Sequence, residues 1–198
     1  MKVRLHQHYD IIGIAGEKRH GKDSVADFIP HPKRIVKLAE PVKEIARWVY
    51  GLTEAQVDGN EQDKETVIPE WGVSPRQIMQ KIGTEMSREI HPDTWIRFLR
   101  KRIDYFLSSI KINPGDPPII FVVSDVRYPN EAESIRSWGG SIWRVLRPGL
   151  PSSGVDQHPS ETSIKTIRPD LTIVNDGTLS QLKEKVEYLY NLHYIGEK

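Results

Sequence analysis

Residues 11–24 read IIGIAGEKRHGKDS, and this stretch decides the fold. The apolar run at 11–15, bounded by Asp10 and Gly16, predicts a short buried strand. Gly16 is followed at the spacing Gly-x4-Gly-Lys by Gly21 and Lys22, and residues 22–29 predict a helix. A strand, a glycine-bearing loop and a helix in that order leave backbone N–H groups and a helix N-terminus aimed at one spot. Such an arrangement attracts a polyphosphate. Gly16 and Gly21 allow backbone angles that other residues resist, and Lys22 would reach the β- and γ-phosphates. Lys18 and His20 complete the set of loop side chains expected at the nucleotide. Asp23 stands where a hydroxyl usually ligates Mg²⁺. Either its carboxylate binds the metal, directly or through water, or Ser24 supplies the hydroxyl. The bland alternative is a glycine turn with a capping Asp.

Outward from the loop, apolar runs predict further strands at 34–38, 119–124, 141–146 and 171–174. The run IIFVVS at 119–124 suits a strand buried on both faces, as in a parallel sheet. Helical stretches lie between most of these, and Pro41 suits the first turn of a helix at 41–50. The alternation predicts an α/β fold with a five-stranded parallel sheet covered by helices. Two stretches break it. Residues 53–91 are long enough for a helical insertion, and 147–169, rich in proline, read as a long loop of the kind that serves function. The core is then 9–52, 92–146 and 170–198.

Asp125 at the end of IIFVVS is a candidate for Mg²⁺ or its water, beside the phosphate loop, with a turn or capping Asp as the alternative. Arg127 could reach the same phosphates. Asn130 and Glu133 have capping-box spacing and read as the start of the next helix. Ser74, Pro75 and Gln77 form a strong helix start. From there Ile78, Ile82, Met86 and Ile90 recur every four residues as an expected packed stripe. Arg76, Gln80, Thr84 and Arg88 recur likewise on another face. That face suits a phosphate and a base edge, or is simply solvated. Arg144, Arg147, His158 and Arg168 flank or lie in the long loop, where cations could close on a transferring phosphoryl group. His158 and Glu161 are too few for a metal site. Asn175 and Gly177 sit in a turn after the last strand, where loops at strand C-terminal ends line the ligand crevice; there they could contact the adenine.

The 198 residues suffice for one sizeable domain, and 37% hydrophobic with 28% charged residues is ordinary for a globular chain. A net charge of +1 gives no footprint for a long nucleic acid. The absence of cysteine excludes disulfides and thiolate metal sites. No apolar run approaches a membrane span of roughly 18 residues. The polar residues 1–10 do not read as a secretory signal, so the expected compartment is the cytoplasm.

Taken together, these motifs resemble phage deoxynucleoside monophosphate kinases, of the P-loop nucleoside monophosphate kinase family. The resemblance rests on the loop with its GKDS ending, LAEPVK at 38–43, SPRQIMQKIGTE at 74–85, DVRYPNE at 125–131, HPSE at 158–161 and NDGTL at 175–179. It runs from about residue 11 to about 192. It implies a P-loop NTPase three-layer fold with a monophosphate-binding insertion at 53–91 and a lid at 147–169. It also implies ATP as donor, Mg²⁺ as cofactor and a deoxynucleoside 5′-monophosphate as acceptor, in the host cytoplasm if the chain is phage-encoded. Carried over by position, Lys22 and the loop amides hold ATP, Asp125 lies near Mg²⁺ and Arg127 near the crevice. The acceptor would meet Glu40, Lys43, Arg76, Gln80, Thr84, Arg88 and Trp95. Base preference stays open, as does a homodimer. Three rival readings also stay open: a P-loop kinase of another phosphorylated metabolite, a kinase of a hydroxymethylated base in DNA, and a non-catalytic nucleotide binder.

Overall fold

The computed structural model describes residues 9–30, 32–150 and 162–195. Its contacts divide the chain into two compact units, one of residues 1–37 with 103–198 and one of residues 38–102.

The first unit is built on a five-stranded sheet in the order β2-β3-β1-β4-β5. The strands are β1 (Tyr9–Ala15), β2 (Lys33–Val36), β3 (Ile119–Val126), β4 (Ser141–Leu146) and β5 (Leu171–Val174). Every neighbouring pair is parallel. All five strands expected from the apolar runs are present. β2 begins one residue earlier than the apolar pattern suggests and stops at Val36, leaving Lys37 and Leu38 outside the sheet. The central strand β1 is almost wholly buried, as its apolar run requires. Its connection leads to one edge of the sheet, whereas β4 and β5 lie on its other side. Ligand crevices form outside the carboxyl ends of strands where the winding reverses in this way.

Helices α1 (Lys22–Phe28) and α9 (Leu179–Tyr190) belong to this unit, as does α8 (Pro129–Ser137). One apolar core joins Ile12 and Ile14 of β1 to Val25, Ala26, Ile120, Val122, Trp143, Val145, Ile173, Leu182 and Val186. On the opposite face Gly13 admits α8. A Cβ there would lie 2.6 Å from Ile142 Cδ1 and 2.9 Å from Ile135 Cδ1. Helix α8 starts differently from expectation. Pro129 occupies its first turn and Glu131, not Glu133, makes the capping contact. One carboxylate oxygen of Glu131 accepts from the backbone N–H groups of Arg127 (2.9 Å) and Tyr128 (3.1 Å). Because Pro129 opens the helix, the reciprocal acid falls at 131.

The second unit is helical. It holds α2 (Glu40–Tyr50), α3 (Glu54–Asp58), α4 (Glu61–Glu65), α5 (Pro75–Gln80) and α6 (Ser87–Ile90). Helix α7 (Thr94–Ser109) contributes residues to both units. Thr53, Asn60 and Ser74 each cap a helix through a reciprocal box, and between α4 and α5 the chain turns through an isolated bridge of Ile68 with Val73. Between α5 and α6 the backbone widens into a π-helical turn, Lys81–Met86. This overturns part of the expected packed stripe. Ile78 and Ile82 are buried at 4% and 2% exposure, but Met86 and Ile90 are exposed at 48% and 79%. The wider turn moves the next inward position to Ser87, which is buried and donates its hydroxyl to the Ile82 carbonyl at 2.6 Å. No described helix is long and apolar enough to cross a membrane.

Candidate active site

The loop after β1 is fastened from below by strands distant in sequence. His20 is buried and its Nδ1 donates to the Val145 carbonyl at 3.1 Å. Asn175 Nδ2 donates to the His20 carbonyl at 3.0 Å, and its backbone N–H to the Leu146 carbonyl at 2.7 Å. The ends of β4 and β5 therefore hold the loop's shape. Arg19 (φ 65°) and Gly21 (φ 96°) are both left-handed. A Cβ at Gly21 would also lie 2.6 Å from Asn175 Nδ2, so glycine is required there twice over. Gly16 is buried at the start of the loop and Lys18 is half-buried within it. Lys22, the first residue of α1, folds its ammonium onto the Glu17 carbonyl at 2.9 Å. The loop thus joins a strand end, left-handed turns at Arg19 and Gly21, the start of α1 and Lys22 within a few residues, the combination that favours a polyphosphate.

The expected metal ligands are placed differently from one another. Asp23 is exposed, and its carboxylate pairs with Lys37 at 3.0 Å. Ser24, the next residue, is half-buried. Asp125 is half-buried next to the last residue of β3, where Val126 pairs with Ala15 after a register shift that gives β3 one more residue than β1. Arg127 follows immediately, its backbone held by Glu131 as described. Among the described residues no three His, Asp or Glu side chains converge. Mg²⁺ needs no such cage, since it usually takes one or two carboxylates together with substrate phosphates. Asp125 and the Ser24 hydroxyl fit that demand. Asp23 fits it less well while Lys37 holds it.

Beside the loop, a cleft of about 400 Å³ is lined by Val174, Asn175, Asp176, Gly177, Gln181, Leu182 and Lys185. Asn175 both lines this cleft and carries the phosphate loop. Lys185 donates to the Val174 carbonyl (2.6 Å) and to Asp176 (2.9 Å). Its hydrogen bond holds the Asp176 carboxyl below the usual range. Arg144, in register with Ala15, turns its guanidinium to the Ile164 carbonyl at 3.2 Å and to the Ile167 carbonyl. Arg147 is exposed just past β4. His158 lies outside the described residues.

In the helical unit, Glu40 opens α2. Lys43 and Arg47 both grip Asp58. Burial alone would raise the Asp58 carboxyl, but the hydrogen bond and charge of Lys43, with Arg47 and Lys64, hold it below its ordinary value. Arg76 lies between Glu61 (2.9 Å) and Glu65. Gln80, Thr84 and Arg88 are half-buried, and Arg88 donates to the Pro92 carbonyl at 2.8 Å. Trp95 is 8% exposed and gives its indole N–H to the Gly83 carbonyl at 2.7 Å. Sequence reasoning missed the bracing roles of Asp58, Glu61 and Glu65, which charge spacing alone could not have paired.

The parallel sheet, its order and the phosphate loop define the P-loop NTPase fold. TT1252 from Thermus thermophilus shares that fold with a TM-score of 0.51 at 15% identity, covering 97% of this chain and 100% of that one. Residues 50–186 match the family described as deoxynucleotide monophosphate kinase, and the chain belongs to that family. A protein of Acanthamoeba polyphaga mimivirus, provisionally named for this activity, is 30% identical over 183 residues, 89% of this chain and 93% of its own length. The deoxynucleotide monophosphate kinase of Enterobacteria phage T4 is 25% identical, covering 89% of this chain and 97% of its own.

Proposed function

We propose that this kinase transfers the γ-phosphoryl group of ATP to the 5′-phosphate of a deoxynucleoside monophosphate. The observation that carries the donor half is the strand–loop–helix at 9–28, whose loop His20 and Asn175 fasten and whose Lys22 ammonium rests on the exchangeable Glu17 carbonyl. In the reaction an oxygen of the acceptor phosphate bonds to the γ-phosphorus. The bond from that phosphorus to the β,γ-bridging oxygen breaks, giving ADP and the deoxynucleoside diphosphate. The acceptor phosphate is already ionised near neutral pH, so no strong general base is needed. Catalysis is positioning and charge neutralisation. Lys22 leaves the Glu17 carbonyl for the β- and γ-phosphates. Arg127 neutralises charge at the same end of the sheet, and the cleft bounded by Asn175 and Gly177 takes the base of the donor. Asp125 and Ser24 would hold Mg²⁺, which when bound would supply neutralisation of the polyphosphate charge.

The acceptor monophosphate belongs to the helical unit, residues 53–91 forming its binding lobe. Arg88 is the first choice for the phosphate. Arg76 would have to share or release Glu61 and Glu65 to serve. Gln80 and Thr84, both half-buried, are further candidates, with Glu40 and Lys43 of α2. Arg147 is the candidate lid cation just past β4, with His158 outside the described residues; the turn Ser163–Thr166 is fixed to β4 through Arg144 and is no part of a moving lid.

Activity against Mg²⁺ concentration tests the metal assignment. Asp125→Asn keeps shape and removes charge, so it should raise the Mg²⁺ requirement more than the acceptor KM. Asp23→Ser should retain substantial activity. Unchanged metal dependence in Asp125→Asn would return that residue to a structural role.

A further inference from the structure

The phosphate loop contains an acid that works against its own ligand. Glu17 is the second residue of the loop, and its side chain is only 22% exposed. Its backbone carbonyl receives the Lys22 ammonium at 2.9 Å. A largely enclosed carboxylate beside a site for a polyanion raises the cost of every phosphate bound there. The structure supplies a counter-charge from far along the chain. Lys165 Nζ, at the end of a side chain 63% exposed, lies 3.8 Å from Glu17 Oε1.

Lys165 is not on a free arm. It sits in a single 3₁₀ turn, Ser163–Thr166, flanked by Ile164 and Ile167, which are 4% and 2% exposed. Arg144 of β4 donates to the carbonyls of both isoleucines. Arg144 in turn is in register with Ala15, the last residue before the loop. The sheet therefore fixes the turn, and the turn presents Lys165 to Glu17.

We infer that Lys165 is a positioning residue for the donor. It neutralises Glu17 and so preserves the positive field of the phosphate loop, acting through Glu17 rather than on the nucleotide itself. Arg144 serves by anchoring the turn. This inference deepens the donor site proposed above and rests on that reading.

The test is a double-mutant cycle on donor affinity, read by titrating a non-hydrolysable ATP analogue into the full-length protein, with acceptor KM measured alongside. Lys165→Ala should weaken the analogue about fivefold, the upper range for an exposed pair, and leave acceptor KM unchanged. Glu17→Gln should bind at least as tightly as the parent. In the Glu17→Gln background, Lys165→Ala should have no further effect. Thermal unfolding of each variant separates a lost fold from a lost charge. Equal weakening by Lys165→Ala in both backgrounds would overturn the inference, because Lys165 would then act independently of Glu17. No weakening in the parent background would overturn it too. A parent protein that fails to bind the analogue at all would instead reject the donor-site reading beneath it.

Discussion

Single residues set the phosphate loop, and Gly21 most sharply. Its left-handed φ of 96° and the 2.6 Å approach of Asn175 to a hypothetical Cβ are separate obstacles to any side chain. The backbone term alone is about 1–2 kcal/mol for a residue with a Cβ. Gly21→Ala should therefore lower Tm by several degrees, at about 2–4 °C per kcal/mol for a chain this size. It should also weaken ATP binding, since Asn175 must move and takes the His20 carbonyl contact with it. Unfolding curves and donor titration check both. An unchanged Tm would show that the loop relaxes around the methyl group, contrary to this account. Lys22 is a different case, because its contact with Glu17 is exchangeable and little stability depends on it. Its removal should be felt in turnover rather than in folding.

At the scale of elements, the helical unit carries two predictions. Asp58 ties α2 to α3 through Lys43 and Arg47, and its carboxyl is held below an ordinary value near 3.8. A carboxyl depressed in the folded state stabilises above the unfolded value, and this is lost as pH falls through the folded value. Asp58→Asn should thus cost stability at neutral pH, about 1 kcal/mol after discounting for a side chain 35% exposed. The two proteins should converge only at pH below 3.8; denaturant unfolding at several pH values measures this, and a pH-independent gap would contradict it. The second prediction concerns the face of α5, the π turn and α6. Arg88→Ala should raise acceptor KM roughly ten- to a hundredfold with ATP affinity little changed. Arg88→Lys should already be impaired, because Lys lacks the planar fork. Arg76→Ala should add a loss of stability, since Glu61 and Glu65 lose their partner. If both alanine variants lose ATP affinity and keep acceptor KM, the face belongs to the donor. The phosphate loop and the strands were legible because each follows from local chemistry: glycine angles, apolar runs, a lysine at a fixed spacing. The packed stripe was only half legible. A four-residue period assumes a uniform helix, and nothing in residues 81–86 announces a turn with wider hydrogen bonding. The cap of α8 could have been read correctly by counting from Pro129. The fastening of His20 by Asn175, 155 residues away, has no local signal at all.

For the whole molecule, the central claim is that the loop at 16–24 delivers a phosphoryl group to a deoxynucleoside monophosphate. The family and the sheet order agree with it. The most direct measurement is diphosphate formation from a panel of deoxy- and ribonucleoside monophosphates with ATP and Mg²⁺, run in parallel on the parent and on Lys22→Ala. The parent should convert at least one deoxynucleoside monophosphate to its diphosphate. Lys22→Ala should keep its Tm while losing about 10²- to 10³-fold in kcat, the usual effect of removing one group that stabilises transition-state charge. No diphosphate from any acceptor with the parent, or near-normal turnover by a folded Lys22→Ala protein, would contradict the account.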